Sequence, residues 1–168
     1  PTDTFITTIM DSSIKLNANY IGDTVKVDIQ LNTNIWNISD TLEPQQTYTM
    51  TDTHKIVITN NSSMPVQFGL SVFDGDGLSP AYISGADAFV LRAIFNDDST
   101  PPSEFSPTRD FVKSTCVWAT SDIFGSGGES VPVSDTETLW MQFISPSSMS
   151  TGGGYTITMT LWVRVRLP

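Results

Sequence analysis

Apolar and polar positions alternate without a break over residues 155–167. Tyr155, Ile157, Met159, Leu161, Val163, Val165 and Leu167 fall on one face, and Thr156, Thr158, Thr160, Trp162, Arg164 and Arg166 on the other. A period of two marks a β-strand with one buried face. Thirteen residues at about 3.4 Å each span roughly 44 Å, about twice the usual strand length. The same period recurs upstream. Ile14, Leu16, Ala18 and Tyr20 alternate, then Gly22-Asp23 turns the chain into Val25, Val27, Ile29 and Leu31, which predicts a hairpin. Short strands are expected at 35–38, 47–51 and 54–59, with a turn at Glu43-Pro44-Gln45-Gln46. Val66, Phe68, Leu70 and Val72 alternate, as do Phe89, Leu91, Ala93 and Phe95. Residues 96–108 carry three prolines and read as a loop, residues 111–119 as a further strand, and 125–130 as a flexible turn. Residues 139–144 are apolar on both faces, which predicts a central strand. No helical period persists. The pattern predicts an all-β, antiparallel β-sandwich, Ig-like or jelly-roll-like, with about nine to ten strands and long loops.

The N-terminal stretch breaks the pattern. Phe5, Ile6, Ile9 and Met10 put bulk on both faces of one short segment, mixed with threonine. A strand with two apolar faces wants cover on both sides. It reads either as a first strand at the sheet edge or as a strand donated to a neighbouring copy, where backbone bonds supply affinity and alternate side chains supply specificity. Residues 1–12 are thus set apart as an N-terminal extension and candidate donor strand, and 13–168 as a single β-sandwich domain.

Composition narrows the function classes. With 168 residues and 39% hydrophobic content, the chain supports one domain with a proper core. Charged residues are only 15%, while 20 serines plus 22 threonines make 42, a profile that suits an extracellular or cell-surface β protein. The net charge of −10 repels phosphate backbones and anionic lipids, so neither a nucleic-acid partner nor membrane insertion is expected. The first residue is Pro1 rather than Met, which suggests a processed, secreted chain. Cys116 is the single cysteine and, beside Val117 and Trp118, reads as a buried thiol.

Catalytic chemistry finds little support. His54 is the only histidine, so any Ser–His or Cys–His arrangement would have to centre on a residue that reads as a solvated strand end. The paired carboxylates Asp97 and Asp98 fall in a loop. No enzyme and no obligatory cofactor is expected. Asp74 and Asp76 in Asp-Gly-Asp-Gly offer two hard oxygens for calcium but lack the other ligands of a full loop, and Asp87 is a distant further donor. Such Asp-Gly pairs also make plain turns. Trp36, Trp140 and Trp162 are candidates for stacking on a glycan if they lie outside the core. Asn37, Asn60 and Asn61 begin N-glycosylation patterns.

Residues 35–73 have a further cadence: Ile35-Trp36-Asn37-Ile38, Leu42-Glu43-Pro44-Gln45-Gln46, Ile56-Val57-Ile58-Thr59-Asn60-Asn61-Ser62 and Val66-Gln67-Phe68-Gly69-Leu70. It resembles the short strand, Leu-x-Pro-Gly-x turn and Val-x-Asn-x-Gly passage of secreted prokaryotic β-sandwich proteins, including TasA/camelysin-type fibre subunits. Gln45 and Ser62 stand where that passage has glycines. The resemblance implies head-to-tail polymerisation by strand donation and carries over no catalytic residues.

The expectation is an extracellular structural subunit that polymerises with copies of itself into a pilus-like filament, tube or sheath by donor-strand exchange. The assembly residues are Phe5, Ile6, Ile9 and Met10 on the donor and Trp162, Arg164 and Arg166 on the last strand. From residue 139 onward there is no acidic residue, so a basic strand end facing an acidic patch on the next copy is also expected. The alternatives are a secreted carbohydrate-binding or adhesin module and a single jelly-roll capsid protein.

Overall fold

The computed structural model describes residues 5–9, 13–20, 23–38, 42–73, 77–96, 99–150 and 155–166; up to residue 25 it describes backbone placement only. The fold is all-β and sandwich-like. Among the described residues there are twelve strands: β1 Phe5–Ile9, β2 Ser13–Tyr20, β3 Asp23–Leu31, β4 Ile35–Ile38, β5 Thr47–Thr49, β6 Ile56–Asn60, β7 Val66–Val72, β8 Ser79–Pro80, β9 Ala88–Phe95, β10 Val117–Trp118, β11 Thr136–Ile144 and β12 Tyr155–Val165. One 3-10 turn, Ser126–Gly128, is the only helical element among those residues, so none of them forms a helix able to cross a membrane.

Five strands form one sheet in the order β10-β7-β12-β1-β4. The other runs β2-β3-β6-β11-β9-β8, with β5 also paired on β11. Most pairs are antiparallel, but β1 runs parallel to β12 and β8 parallel to β9. The core fills the space between the sheets. Val66, Phe68, Leu70 and Val72 from β7 and Tyr155, Ile157, Met159 and Leu161 from β12 meet Phe89, Leu91, Ala93 and Phe95 from β9 and Leu139, Met141 and Phe143 from β11. Ring pairs cross the core at 5.5 Å for Phe68–Phe95, while Phe89 and Phe143 on adjacent strands stand 5.9 Å apart. Alternation placed these faces correctly because each sheet buries one side. The prediction of a central strand at 139–144 also holds: β11 lies between β9 on one edge and β5 with β6 on the other.

Three expectations change. The strand expected at 111–119 is not one strand. Phe111 bridges Arg92 on β9, and Val112 N–H donates to Leu91 O, whereas Val117 and Trp118 pair with β7 in the other sheet. A segment that crosses between sheets cannot keep one ladder. Second, β1 is not an edge strand, because it has ladder partners on both sides. Third, Trp36 and Trp140 lie inside, at 3% and 0% exposure. Trp140 sits out of phase with the core residues Leu139 and Met141, but the Lys55 ammonium stands over its ring, 5.9 Å from the centroid.

The turn after β4 has an unusual residue at its corner. Gln46 N–H donates to Glu43 O at 3.3 Å, and Gln45 takes φ +57°. That is a turn with Pro44 at its second position and a left-handed residue at its third, the place where glycine is favoured. Gln45→Gly is therefore expected to raise stability by about 1 kcal/mol, read as an increased urea midpoint; an unchanged or lower midpoint would count against strain at this corner.

Candidate functional site

Two regions collect the residues singled out by the sequence. The first is the slot that holds β1. Phe5, Ile6, Thr7, Thr8 and Ile9 pair in register with Tyr155, Thr156, Ile157, Thr158 and Met159 of β12. On the other side Phe5, Ile6, Thr7 and Thr8 pair with Ile38, Asn37, Trp36 and Ile35 of β4. The register sets Phe5 and Ile9 opposite Tyr155 and Met159, both buried, and Ile6 opposite Thr156 and Asn37. Met10 lies outside the described residues. Neither neighbour of β1 is joined to it by a hairpin: β4 is three strands on, β12 is the last, and β2 follows in the opposite sheet. Among the described residues β4 has no strand partner other than β1.

The second region is the outer face of β7. Gln67 and Ser71 are buried although they point away from the core, because side chains from β12 and β10 roof them. Trp162 Nε1 donates to Ser71 Oγ at 2.8 Å. Arg164 Nε donates to Gln67 Oε1 at 2.8 Å, and its guanidinium stacks 4.2 Å from the Trp118 ring centroid. The Gln67 amide donates in turn to Ala119 O at 2.6 Å. Trp118 and Cys116 close over Gly69, where a Cβ would stand 2.9 Å from Trp118 Cε3 and 3.0 Å from Cys116 Sγ. Arg166 Nη2 meets Glu129 Oε1 at 3.2 Å. The three side chains assigned to assembly are therefore engaged within the chain. The basic strand end finds its acid, Glu129, at home, and that exposed pair is worth little by itself. Trp162 keeps 43% exposure and alone of the three stacking candidates presents a broad surface. Burial pushes the Cys116 thiol above its usual range despite the nearby Arg164, which makes it a poor nucleophile. Gln67, Trp118 and Glu129 were invisible as a group in the sequence, since they come from three separated segments. The one available signal was the polar phase of β7.

The other candidates resolve as follows. Asp74, Asp76, Asp97 and Asp98 lie outside the described residues. Asp87 has φ +52° and accepts hydrogen bonds from Ser150 N–H, at 2.6 Å, and from the Ser150 hydroxyl. Those bonds hold its carboxyl below the usual range. Among the described residues no three His, Cys, Asp or Glu side chains converge as a metal site would need. Asn60 is fully buried and donates to Met64 O, Val131 O and Pro132 O while accepting from Ser62 N–H, so its side chain is not open to a glycan. A cavity of about 420 Å³ near Glu104, Arg109 and Asp122 also contains Asp110. Burial raises the Asp110 carboxyl above the ordinary value, opposed by the Ser106 N–H bond and by Arg109 and Arg92.

The chain matches no protein-family model and no curated protein sequence. What the fold defines is a class, an all-β sandwich-like domain.

Proposed function

We propose that the chain is an extracellular structural subunit that joins copies of itself through exchange of β1. The observation that carries this reading is the position of β1: inside a sheet, flanked by β12 and β4, with no hairpin tying it to either. A strand joined to its neighbours by ladders alone makes the same backbone pairings whether it comes from its own copy or the next. The next strand, β2, lies in the opposite sheet rather than beside β1, so exchange breaks no β1–β2 ladder. Donation from one copy into the next is heterologous and does not close on itself, which gives a filament, tube or sheath. The resemblance to TasA/camelysin-type subunits agrees with strand donation.

Thr8 and Thr158 are register partners, and neighbouring strands sit within the range that a disulfide spans. In a Thr8→Cys, Thr158→Cys chain with Cys116→Ser, exchange predicts a ladder of covalent oligomers on a non-reducing gel after oxidation at high concentration. A band confined to the monomer would show that β1 stays at home and would defeat the proposal.

A further inference from the structure

The second wall of the molecule that merits attention is the gap between β4, the edge of one sheet, and β5, which hangs on β11 in the other. A cleft of about 340 Å³ opens there, at the small end of the range for ligand sites. Trp36 and Ile38 of β4 line it on one side, and Thr47, Tyr48 and His54 on the other. Among the described residues no Lys, Arg, Asp or Glu lines it. The half-buried Tyr48 ring, the indole of buried Trp36 and several hydroxyls line one small concavity in a chain of net charge −10.

Several polar groups in the cleft are held in place while keeping capacity to spare. The Tyr48 hydroxyl accepts Glu43 N–H at 3.3 Å, which leaves its own proton to donate. Thr51 Oγ1 holds His54 Nδ1 at 2.8 Å, which orients the imidazole and leaves Nε2 uncommitted. The Trp36 indole N–H and the Thr47 hydroxyl make no hydrogen bond among the described residues. Tyr48 is braced from behind by Phe143, 6.4 Å between ring centroids.

We infer that this cleft binds an uncharged saccharide. The half-buried Tyr48 ring meets the C–H face of a sugar, and fixed hydroxyl, imidazole and indole N–H groups meet its hydroxyls. An anionic ligand would find no cation among the described lining residues and would be repelled by the net charge. A wholly apolar ligand would strand the polar groups that line the site. Trp162, on the outer face of the other region, takes no part. The inference is separate from strand exchange, since the cleft is the same whether β1 belongs to this copy or to a neighbour.

The test is titration calorimetry on the full chain with maltotriose, cellotriose, xylotriose and chitotriose. At least one is expected to bind, and Thr47→Val and His54→Leu are each expected to weaken it by about tenfold while the melting temperature stays unchanged. Trp162→Ala is expected to leave binding intact. Failure of all four sugars to bind at millimolar concentration would overturn the inference. So would binding that survives both cleft variants or disappears in Trp162→Ala. Displacement of a bound sugar by a synthetic peptide of residues 1–12 would also overturn it, since the cleft would then be a strand-docking edge.

Discussion

A chain that begins at Met10 is expected to lose its cooperative unfolding transition, and a synthetic peptide of residues 1–9 is expected to restore it. β1 supplies five register pairs to β12 and four to β4. At about 1 kcal/mol net for each backbone hydrogen bond made, losing two ladders costs several kcal/mol. That is a large part of the roughly 5–15 kcal/mol that keeps a domain folded. The loss reaches further than β1. β4 has no other described strand partner, yet it carries Trp36 and Ile38 into the core. Tyr155, Ile157 and Met159 of β12 would face a gap on one flank. Far-ultraviolet circular dichroism during thermal unfolding, with and without peptide, reads the outcome. An undiminished transition in the truncated chain would mean that β1 is dispensable, and strand exchange would then have no driving force. Rescue by peptide would show that the slot accepts a strand not covalently attached, which is the property that exchange needs.

Gly125→Ala is expected to destabilise the domain by about 2–6 kcal/mol. Gly125 has φ +81° and ψ 155°, a region open almost only to glycine. An added Cβ would also stand 2.6 Å from Phe95 O and 3.3 Å from Ile94 Cγ2. The first contact is backbone in a core strand, which cannot swing aside. Just before it, buried Phe124 takes φ +59° and its carbonyl accepts Phe95 N–H at 2.7 Å, so the corner is pinned to β9 from both sides. For a domain of this size the cost corresponds to a fall in melting temperature of about 2–4 °C per kcal/mol. Urea unfolding of the variant measures it; a midpoint equal to that of the parent would show that the corner relaxes at no cost.

The sequence had read residues 125–130 as a flexible turn. Glycine content marks where unusual backbone is allowed, but whether that backbone is free or clamped depends on what lies over it. Here it is Phe95, 88 to 95 being a strand whose position relative to residue 125 no local pattern encodes. The tryptophans make the same point. Trp36 and Trp140 fall in segments where phase alone suggested an outer face for Trp140, and the cover given by Lys55 comes from the residue just before β6. Arg164 and Arg166 looked like free cations because no acid follows residue 139; Glu129 and Trp118 reach them only through the β7–β12 pairing.

The sequence by itself determined the all-β class, the core faces of β7, β9, β11 and β12, the β2–β3 hairpin and the turn at Gln45. Each of these follows from period-two alternation or from turn chemistry confined to a few neighbouring residues. Only the tertiary structure decided that β1 lies between β12 and β4, that the polar face of β7 is roofed, and that Trp36, Tyr48 and His54 share a cleft. Those facts depend on which strands become neighbours, and no local pattern states that. Ladder pairing selects neighbours by the total burial of a whole sheet, a quantity that no single segment carries.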